Sequence, residues 1–125
     1  MMKDGRRSSE DYLEAILMIR EKKGSCRSVD VAAHLGFSKP SVSVAMNKLE
    51  ESGCVERLED GQLRLTEKGL AIARNTLDKH HLLTEVFCAM GVGAETAEHD
   101  ACLIEHSLSE ETYEKLRLFW DRHKK

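Results

Sequence analysis

The chain has 125 residues and a mass of 14.1 kDa, enough for one domain or for one small domain with a helical extension. Hydrophobic residues make up 41% and charged residues 33% of the sequence, which is typical of a globular protein and argues against a disordered or membrane-embedded chain. The formal charge is -3, from 19 basic and 22 acidic residues, and this total does not indicate a nucleic-acid partner.

The charge is distributed unevenly along the chain. Residues 1–75 carry 13 basic and 12 acidic side chains, whereas residues 76–125 carry 6 and 10. Five of the six histidines also fall in the second, acidic segment. Carboxylate and imidazole groups together are typical ligands of divalent transition metals, so the second segment is where we expect a metal site.

Cysteine spacing and the N-terminal sequence bear on the cellular compartment. The four cysteines form no short pair such as C-x-x-C, and the first residues contain no apolar signal-peptide core. The most apolar stretch, residues 82–92, is too short to span a bilayer. We therefore expect free thiols, a cytoplasmic location and no membrane partner.

Helical periodicity in the first half predicts three helices. The first is expected over residues 9–22, capped by Ser8 or Ser9, with Gly24 beyond its end. A short helix, VDVAAHL, follows Ser28 and stops at Gly36. A third starts at Ser38, with an apolar stripe at 42, 45, 46 and 49. The tight link at residues 36–37 predicts a helix-turn-helix.

The segments CVERLE and QLRLT predict two short strands separated by Asp60-Gly61. This pair favours a two-residue type I′ hairpin, in which both turn residues take a positive φ. A helix-turn-helix followed directly by a hairpin predicts a winged helix, in which the hairpin is the wing.

The second half is predicted to be entirely helical. Thr66 caps a long helix that reaches about residue 90, a fifth helix covers about residues 94–108, and Ser109 opens a sixth. We therefore expect a mainly α protein. A winged helix-turn-helix with a two-stranded wing would cover residues 1–73, and a helical metal-binding and dimerisation domain residues 74–125, forming a homodimer.

A winged helix of this kind predicts binding to double-stranded DNA. The third helix would enter the major groove, and the wing would reach the adjacent backbone or minor groove. Each of these side chains taken alone fits an ordinary surface position equally well. The residues expected to contact DNA are Ser38, Lys39, Pro40, Ser41, Ser43, Asn47, Lys48, Arg57 and Arg64.

Three groups of metal-ligating residues occur at helical spacing. Cys102, Glu105 and His106 stand at i, i+3 and i+4 on the predicted fifth helix, so all three point the same way. Asp11 and Glu14 are spaced i, i+3 on the first helix. With His80 on the inward face of the fourth helix, six donors from three helices can converge.

Each donor taken alone also has a structural interpretation. Asp11 and Glu14 can stabilise the N-terminal dipole of their helix. His80 can be a hydrogen-bonded core histidine, and Cys102 can be a small buried hydrophobe. Their joint occurrence favours a metal site.

Five segments of the chain resemble, in order and spacing, the diphtheria-toxin-repressor family of metal-dependent transcriptional regulators, and most of all its manganese-transport-regulator branch. The likeness covers residues 9 to about 120. It does not include the third, SH3-like domain of iron-type members. The segments are SSEDYLEAI, VDVAAHLGFSKPSVSVAMNKLEESGCVE, LRLTEKG, KHHLLTEVF and ACLIEHSLS.

The resemblance implies metal ligation by Asp11, Glu14, His80, Cys102, Glu105 and His106. Asp11 matches the manganese branch, where iron-type members place a methionine. Cys102 matches the iron branch, where the manganese regulator has a glutamate that can bridge two metals.

The metal expected is Mn(II) or Fe(II), with Co(II) or Zn(II) as possible surrogates, because a thiolate is softer than a carboxylate. Thr84 stands where other members often carry a glutamate, which weakens an ancillary iron-type site. Glu98 and His99 are possible secondary metal ligands in its place.

The function implied is a metal-activated DNA-binding regulator, favouring repression of metal-uptake genes, in which metal clamps the DNA-binding half to the dimerising half. The main alternative is a metal-independent winged-helix regulator that senses a small ligand or thiol oxidation at Cys102 or Cys88. A metal hydrolase with Glu105 as its base is disfavoured, because the sequence contains no H-E-x-x-H pair. We expect no enzymatic activity and no small-molecule substrate.

Overall fold

The computed structural model describes residues 5–124, with side chains from residue 9 onward. The described part is mainly α-helical with one two-stranded sheet, as the sequence predicted. Contacts divide the chain into two units, with the boundary between Asn75 and Thr76. No helix among the described residues is long and apolar enough to span a membrane. The elements in chain order are α1 (Gly5–Lys23), α2 (Ser28–Leu35), α3 (Lys39–Glu51), β1 (Val55–Arg57), β2 (Leu63–Leu65), α4 (Glu67–Ala89), α5 (Ala94–Ile104) and α6 (Glu110–His123).

The N-terminal unit is built around the apolar face of α1. This helix packs against α2, α3 and β2, and α3 also packs against β1. Helix α1 starts at Gly5 rather than near residue 9, so the predicted cap at Ser8 or Ser9 is wrong and both residues lie inside the helix. The largest fully buried apolar residues of this unit are Leu13, Ile16, Val31, Val42, Met46 and Leu63.

Helices α2 and α3 form the predicted helix-turn-helix. The backbone N–H of Arg27 donates to Asp30 Oδ2 (2.9 Å), which secures the start of α2. Gly36 ends the helix in the left-handed region, at φ 73°. Ser38 then caps α3 as predicted, because its Oγ accepts from the N–H of Ser41 at 3.2 Å.

The wing is a hairpin, but its turn differs from the prediction. Arg57 pairs with Leu63, so residues 58–62 form the loop and the two-residue type I′ hairpin is wrong. Only glycines take a positive φ among the described residues, and in this loop that residue is Gly61 (φ 89°). Asp60 instead accepts from the backbone N–H of Gln62 at 3.1 Å, a local bond that stabilises the longer turn.

The first turn of α4 lies against the segment that leads into β1. Thr66 caps the helix as predicted, accepting from the N–H of Gly69 at 3.1 Å. The backbone N–H of Thr66 also donates to the carbonyl of Cys54 at 3.0 Å. A side chain at Gly69 would overlap that same carbonyl group, so this close approach requires glycine.

The C-terminal unit comprises the rest of α4 with α5 and α6. Ser109 caps α6 as predicted, with its Oγ accepting from the N–H of Thr112 at 3.1 Å. Helix α5 ends at Ile104, four residues before the predicted end. There the N–H of Ser107 donates to the Ile104 carbonyl at 2.8 Å, a tighter turn than the α-helical pattern. Glu105 and His106 therefore lie at the end of α5 and just beyond it, not within one regular helix.

Candidate metal centre and nucleic-acid interface

Three of the six predicted metal ligands come together inside the C-terminal unit. His80 on α4 lies with its Nδ1 2.8 Å from Oε1 of Glu105. The other oxygen of Glu105, Oε2, is 3.3 Å from Nε2 of His106. Glu105 is 1% exposed and His106 6% exposed, so this is a buried carboxylate between two imidazoles.

The burial of Glu105 is costly unless its charge is compensated. Its Oε2 atom accepts no hydrogen bond from the described residues, although it is fully buried. A buried carboxylate oxygen without a donor is destabilising, and a bound cation is one way in which proteins compensate it. Carboxylate and imidazole groups are ligands that Mn(II), Fe(II), Co(II) and Zn(II) all accept. The chemistry of this donor set therefore fits a divalent transition metal.

The other predicted ligands differ in burial and in the unit to which they belong. Cys102 lies within α5 of the C-terminal unit and is half-buried. Asp11 and Glu14 lie one turn apart on α1 of the N-terminal unit, and both are half-buried. Asp11 also acts on its neighbour, because burial and then this carboxylate raise the pKa of Tyr12.

The possible secondary ligands lie in an open position. Glu98 and His99 are both exposed on α5, and the His99 side chain is 73% exposed. Nδ1 of His99 lies 3.6 Å from Oδ1 of the neighbouring Asp100. Neither side chain has the burial seen at Glu105 and His106.

Helix α3 presents a polar face opposite its buried stripe. Val42, Met46 and Leu49 point into the core of the N-terminal unit. The predicted DNA contacts on this helix and its cap are all exposed: Ser38, Lys39, Pro40, Ser41, Ser43, Asn47 and Lys48. This amphipathic arrangement is the one a recognition helix needs, because one face holds the fold while the other faces DNA.

Several of these polar groups already have partners within the N-terminal unit. The hydroxyl of Ser38 donates to that of Ser41 at 2.9 Å, in addition to its capping bond. On the wing, Arg57 Nη2 donates to Asn47 Oδ1 at 3.4 Å, which links the wing to α3. Arg64 is paired with Glu56 on the opposite strand, at 2.6 Å. Phosphate contacts by Arg64 would therefore have to compete with a carboxylate.

The turn between α2 and α3 packs against α1 through a pair of aromatic rings. Phe37, between α2 and α3, meets the ring of Tyr12 edge-on at 5.8 Å between centroids. Tyr12 is buried and directly follows Asp11 on α1. The carboxylate of Asp11 thus lies on the same helical turn as a side chain that packs against the link between α2 and α3.

Sequence reasoning missed two residues that the structure singles out. Val44 is a 56% exposed valine on α3 that was not among the predicted DNA contacts. Its spacing from Ser41 and Lys48 would have placed it on the same face. Lys79 is only 7% exposed, and its Nζ contacts Glu110 Oε2 at 2.8 Å and donates to the Leu108 carbonyl at 3.1 Å. No local pattern signals a buried lysine of this kind.

Two family models together match nearly the whole chain. The first is described as the N-terminal DNA-binding domain of iron-dependent repressors and matches residues 6–63. The second is the metal-binding and dimerisation domain of the same repressors and matches residues 66–125. The chain belongs to the iron-dependent repressor family.

Individual relatives agree with membership in the iron-dependent repressor family. The transcriptional regulator MntR of Escherichia coli O157:H7 is 34% identical over 114 residues, which cover 91% of this chain and 74% of MntR. Among solved structures, IdeR of T. acidophilum has a TM-score of 0.79 at 26% identity, and the match covers 97% of this chain and 55% of the IdeR chain. The manganese regulator SloR has a TM-score of 0.79 at 26% identity, covering 93% and 54%.

The two family models confirm the family that the sequence segments resemble. As predicted, this iron-dependent repressor chain carries the DNA-binding domain and the metal-binding and dimerisation domain of a metal-dependent transcriptional regulator. It spans just over half the length of the solved IdeR and SloR chains. The alternative of a metal-independent winged-helix regulator is not favoured, because the second domain is the family's metal-binding one.

Proposed function

We propose that this protein represses transcription of metal-uptake genes by binding a DNA operator when Mn(II) or Fe(II) is present. The observation that carries the proposal is the buried Glu105 carboxylate, held between His80 and His106 in the domain that the family uses for metal binding. Such a group has no role in a DNA contact, and its burial is stabilised when a cation is bound.

The proposed ligand set has two parts. His80, Cys102, Glu105 and His106 come from the C-terminal unit, and Asp11 and Glu14 come from α1. A divalent cation supplies, when bound, positive charge that compensates carboxylates and lowers the pKa of a coordinating thiol. Glu98 and His99 are proposed only as secondary ligands, since both are exposed on α5.

Helix α1 is proposed to couple metal binding to DNA binding. Asp11 and Glu14 are proposed to tie α1 to the ligands of the second domain, while α1 itself packs against α2 and α3. Tyr12, next to Asp11, also contacts Phe37 at the turn before the recognition helix. Fixing α1 would therefore fix the helix-turn-helix relative to the dimerising half.

The expected gain in DNA affinity depends on how much of the protein has its helix-turn-helix units placed to bind DNA. If the metal-free protein samples several arrangements, its apparent DNA affinity falls in proportion to the fraction that can bind. A metal that binds this arrangement more tightly raises that fraction, and so raises the DNA affinity. Coupling between linked sites is typically about 1–3 kcal/mol, which corresponds to roughly 5- to 150-fold in affinity.

A homodimer is proposed because the C-terminal unit exposes large apolar side chains. A single domain of this size rarely leaves so many apolar side chains in water unless another surface covers them. A two-fold dimer would place two recognition helices about 34 Å apart, one turn of DNA. The exposed apolar residues are Met90, Leu103, Ile104, Leu118 and Phe119.

The identity of the metal is proposed from the donor types. Asp11 is a hard oxygen ligand that favours Mn(II), whereas Cys102 is a soft ligand that favours Fe(II), Co(II) or Zn(II). SloR, which is similar in fold and 26% identical, is a manganese regulator. We therefore propose Mn(II) or Fe(II) as the physiological metal, with Co(II) and Zn(II) as surrogates.

The remaining parts of the proposal concern activity, location and boundaries. The six donors suffice to fill a coordination sphere, so we propose that the protein has no catalytic activity and no small-molecule substrate. Because it must reach chromosomal DNA, we propose that it acts in the cytoplasm. The DNA-binding domain is proposed to cover residues 1–73, and the metal-binding and dimerisation domain residues 74–125.

The proposed function is tested by selection from a pool of random duplex DNA. The purified chain is incubated anaerobically with the pool and Mn(II), and bound DNA is amplified and sequenced over several rounds. We expect enrichment of a two-fold symmetric sequence with half-sites one helical turn apart, and no enrichment when a chelator replaces the metal. Equal enrichment with and without chelator would contradict the proposal.

A further inference from the structure

The exposed face of α3 carries two apolar side chains, Pro40 in the first turn and Val44 in the middle of the helix. Val44 is 56% exposed, whereas Val42 and Met46 on the opposite face are 0% exposed. Val44 therefore contributes little to the core of the N-terminal unit. The side chain is available to a ligand that approaches α3 from outside.

Val44 lies at the centre of the surface proposed to face DNA. On a helix, residues three and four apart share a face. Pro40 and Ser41 precede Val44 at those spacings, and Asn47 and Lys48 follow it. All four neighbours are exposed. A helix that docks with this face would bring Val44 against the bases rather than to the edge of the contact.

The polar groups around Val44 are partly occupied. The hydroxyls of Ser38 and Ser41 are hydrogen-bonded to each other at 2.9 Å. The side-chain oxygen of Asn47 accepts from Arg57 at 3.4 Å. These bonds occupy the donor of Ser38 and the side-chain oxygen of Asn47, whereas an apolar contact by Val44 uses no hydrogen-bonding group.

Valine can recognise one feature of the major groove. It has no hydrogen-bonding group, so it cannot distinguish donors from acceptors. The 5-methyl group of thymine is the apolar group that an unmodified base pair displays in the major groove. The branched side chain is also restricted at χ1, so its two methyl groups are held in place at small entropic cost.

We infer that Val44 is a specificity-determining residue that contacts the 5-methyl group of a thymine in each operator half-site. The inference rests on the proposed function, because it requires α3 to enter the major groove. It goes beyond that function by naming the base feature that this chain reads and the residue that reads it.

The test removes the thymine methyl group and nothing else. The operator obtained by selection with Mn(II) is synthesised with deoxyuridine in place of each thymidine in turn, at symmetric positions in both half-sites. Fluorescence anisotropy then gives the affinity of the wild type and of Val44→Ala for each duplex. Val29→Ala is the matched control, because Val29 is 48% exposed but lies on α2.

We expect one symmetric thymidine position at which deoxyuridine weakens wild-type binding by roughly fourfold for each half-site, the equivalent of about 0.8 kcal/mol for one buried methyl group. Val44→Ala should bind the two duplexes equally, while Val29→Ala should behave as the wild type does. Circular dichroism melting should show the same stability for all three proteins.

Two results would overturn the inference alone. One is metal-dependent binding to an operator in which no thymidine responds to loss of its methyl group. The other is a methyl effect that is as large in Val44→Ala as in the wild type. Failure to bind any duplex with Mn(II) would overturn the proposed function and this inference together.

Discussion

Nδ1 of His80 lies 2.8 Å from Oε1 of Glu105 inside the C-terminal unit, where Glu105 is fully buried and His80 is half-buried. The two residues are 25 positions apart, so this contact joins α4 to the end of α5. With His106 on the other oxygen of Glu105, the arrangement places one carboxylate between two imidazoles. These three side chains form the buried part of the proposed metal site.

Replacing Glu105 with glutamine tests the ligand role of its carboxylate. Glu105→Gln keeps the shape of the side chain but removes its charge, so we expect Mn(II) affinity to fall at least about tenfold. Isothermal titration calorimetry under anaerobic conditions measures this affinity. Glu111→Gln on the exposed first turn of α6 is the matched control and should bind as the wild type does. Equal affinities of the wild type and Glu105→Gln would remove Glu105 from the ligand set.

Cys102 is expected to set the preference among metals. Because a carboxylate is harder than a thiolate, Cys102→Glu should raise the apparent affinity for Mn(II) relative to Co(II). Competition between the two metals, followed through the absorption bands of bound Co(II), measures the ratio. Cys88→Glu changes an exposed cysteine in the same way and should leave the ratio unchanged. If Cys102→Glu also leaves it unchanged, the thiol does not contribute to selectivity.

Gly69 is expected to be intolerant of a side chain. A Cβ atom there would overlap the carbonyl oxygen of Cys54 and lie 2.9 Å from its carbonyl carbon, so backbone would have to move. Gly69→Ala should lower the free energy of unfolding by about 2–3 kcal/mol, as overpacking typically does. Urea denaturation measures this change. Gly93→Ala, where a Cβ would meet nothing within 4 Å, should cost less than about 1 kcal/mol.

The thiol of Cys26 should resist ionisation. Burial, reinforced by Asp30, raises its pKa to about 11 from 9.0. Because the folded-state value exceeds the unfolded one, its contribution to stability is complete below pH 9 and declines as the pH rises towards 11.

The same burial should slow alkylation of Cys26. At pH 8, iodoacetamide should modify Cys88, which is exposed, well before Cys26, which is 0% exposed. Peptide mass spectrometry of a time course distinguishes the two sites. Modification of both at the same rate would show that Cys26 is not protected.

The end of α2 and the starts of α3 and α6 were predictable from sequence because they depend on local chemistry, whereas the cap predicted for α1 was wrong. Ser38 and Ser109 each accept from a backbone N–H three residues on, which is a bond within one turn. Gly36 ends α2 because it can adopt a left-handed conformation. These signals need no knowledge of the rest of the chain, and they fixed the order of the helix-turn-helix and wing correctly.

The errors arose where two local preferences competed. Asp60-Gly61 fits a two-residue turn, but the bond from the N–H of Gln62 to Asp60 favours a longer loop. The end of α5 was misplaced because helical periodicity continues through Glu105, whereas the N–H of Ser107 bonds to Ile104. In the wing loop, bonds from the N–H of Leu58 to the Gln62 carbonyl and from the N–H of Gly61 to the Leu58 carbonyl accompany the longer turn.

Other features of the site depend on tertiary contacts and have no sequence signal. Helical spacing grouped Glu105 with His106 and allowed His80 to converge with them, but the 2.8 Å contact between His80 and Glu105 depends on how α4 packs beside the end of α5. The burial of Lys79 depends on the Leu108 carbonyl and on Glu110, both far along the chain. Pattern alone therefore identified the donor types and not the contacts that organise them.

One titration tests whether metal binding controls DNA binding by this protein. Labelled operator from the selection is mixed anaerobically with the wild type or with Glu105→Gln, and fluorescence anisotropy is followed as Mn(II) is added and then chelated. The account predicts binding by the wild type that rises with Mn(II), reverses with chelator, and is weak in the variant at the same metal concentration. Full-affinity operator binding by the wild type in chelator would contradict it.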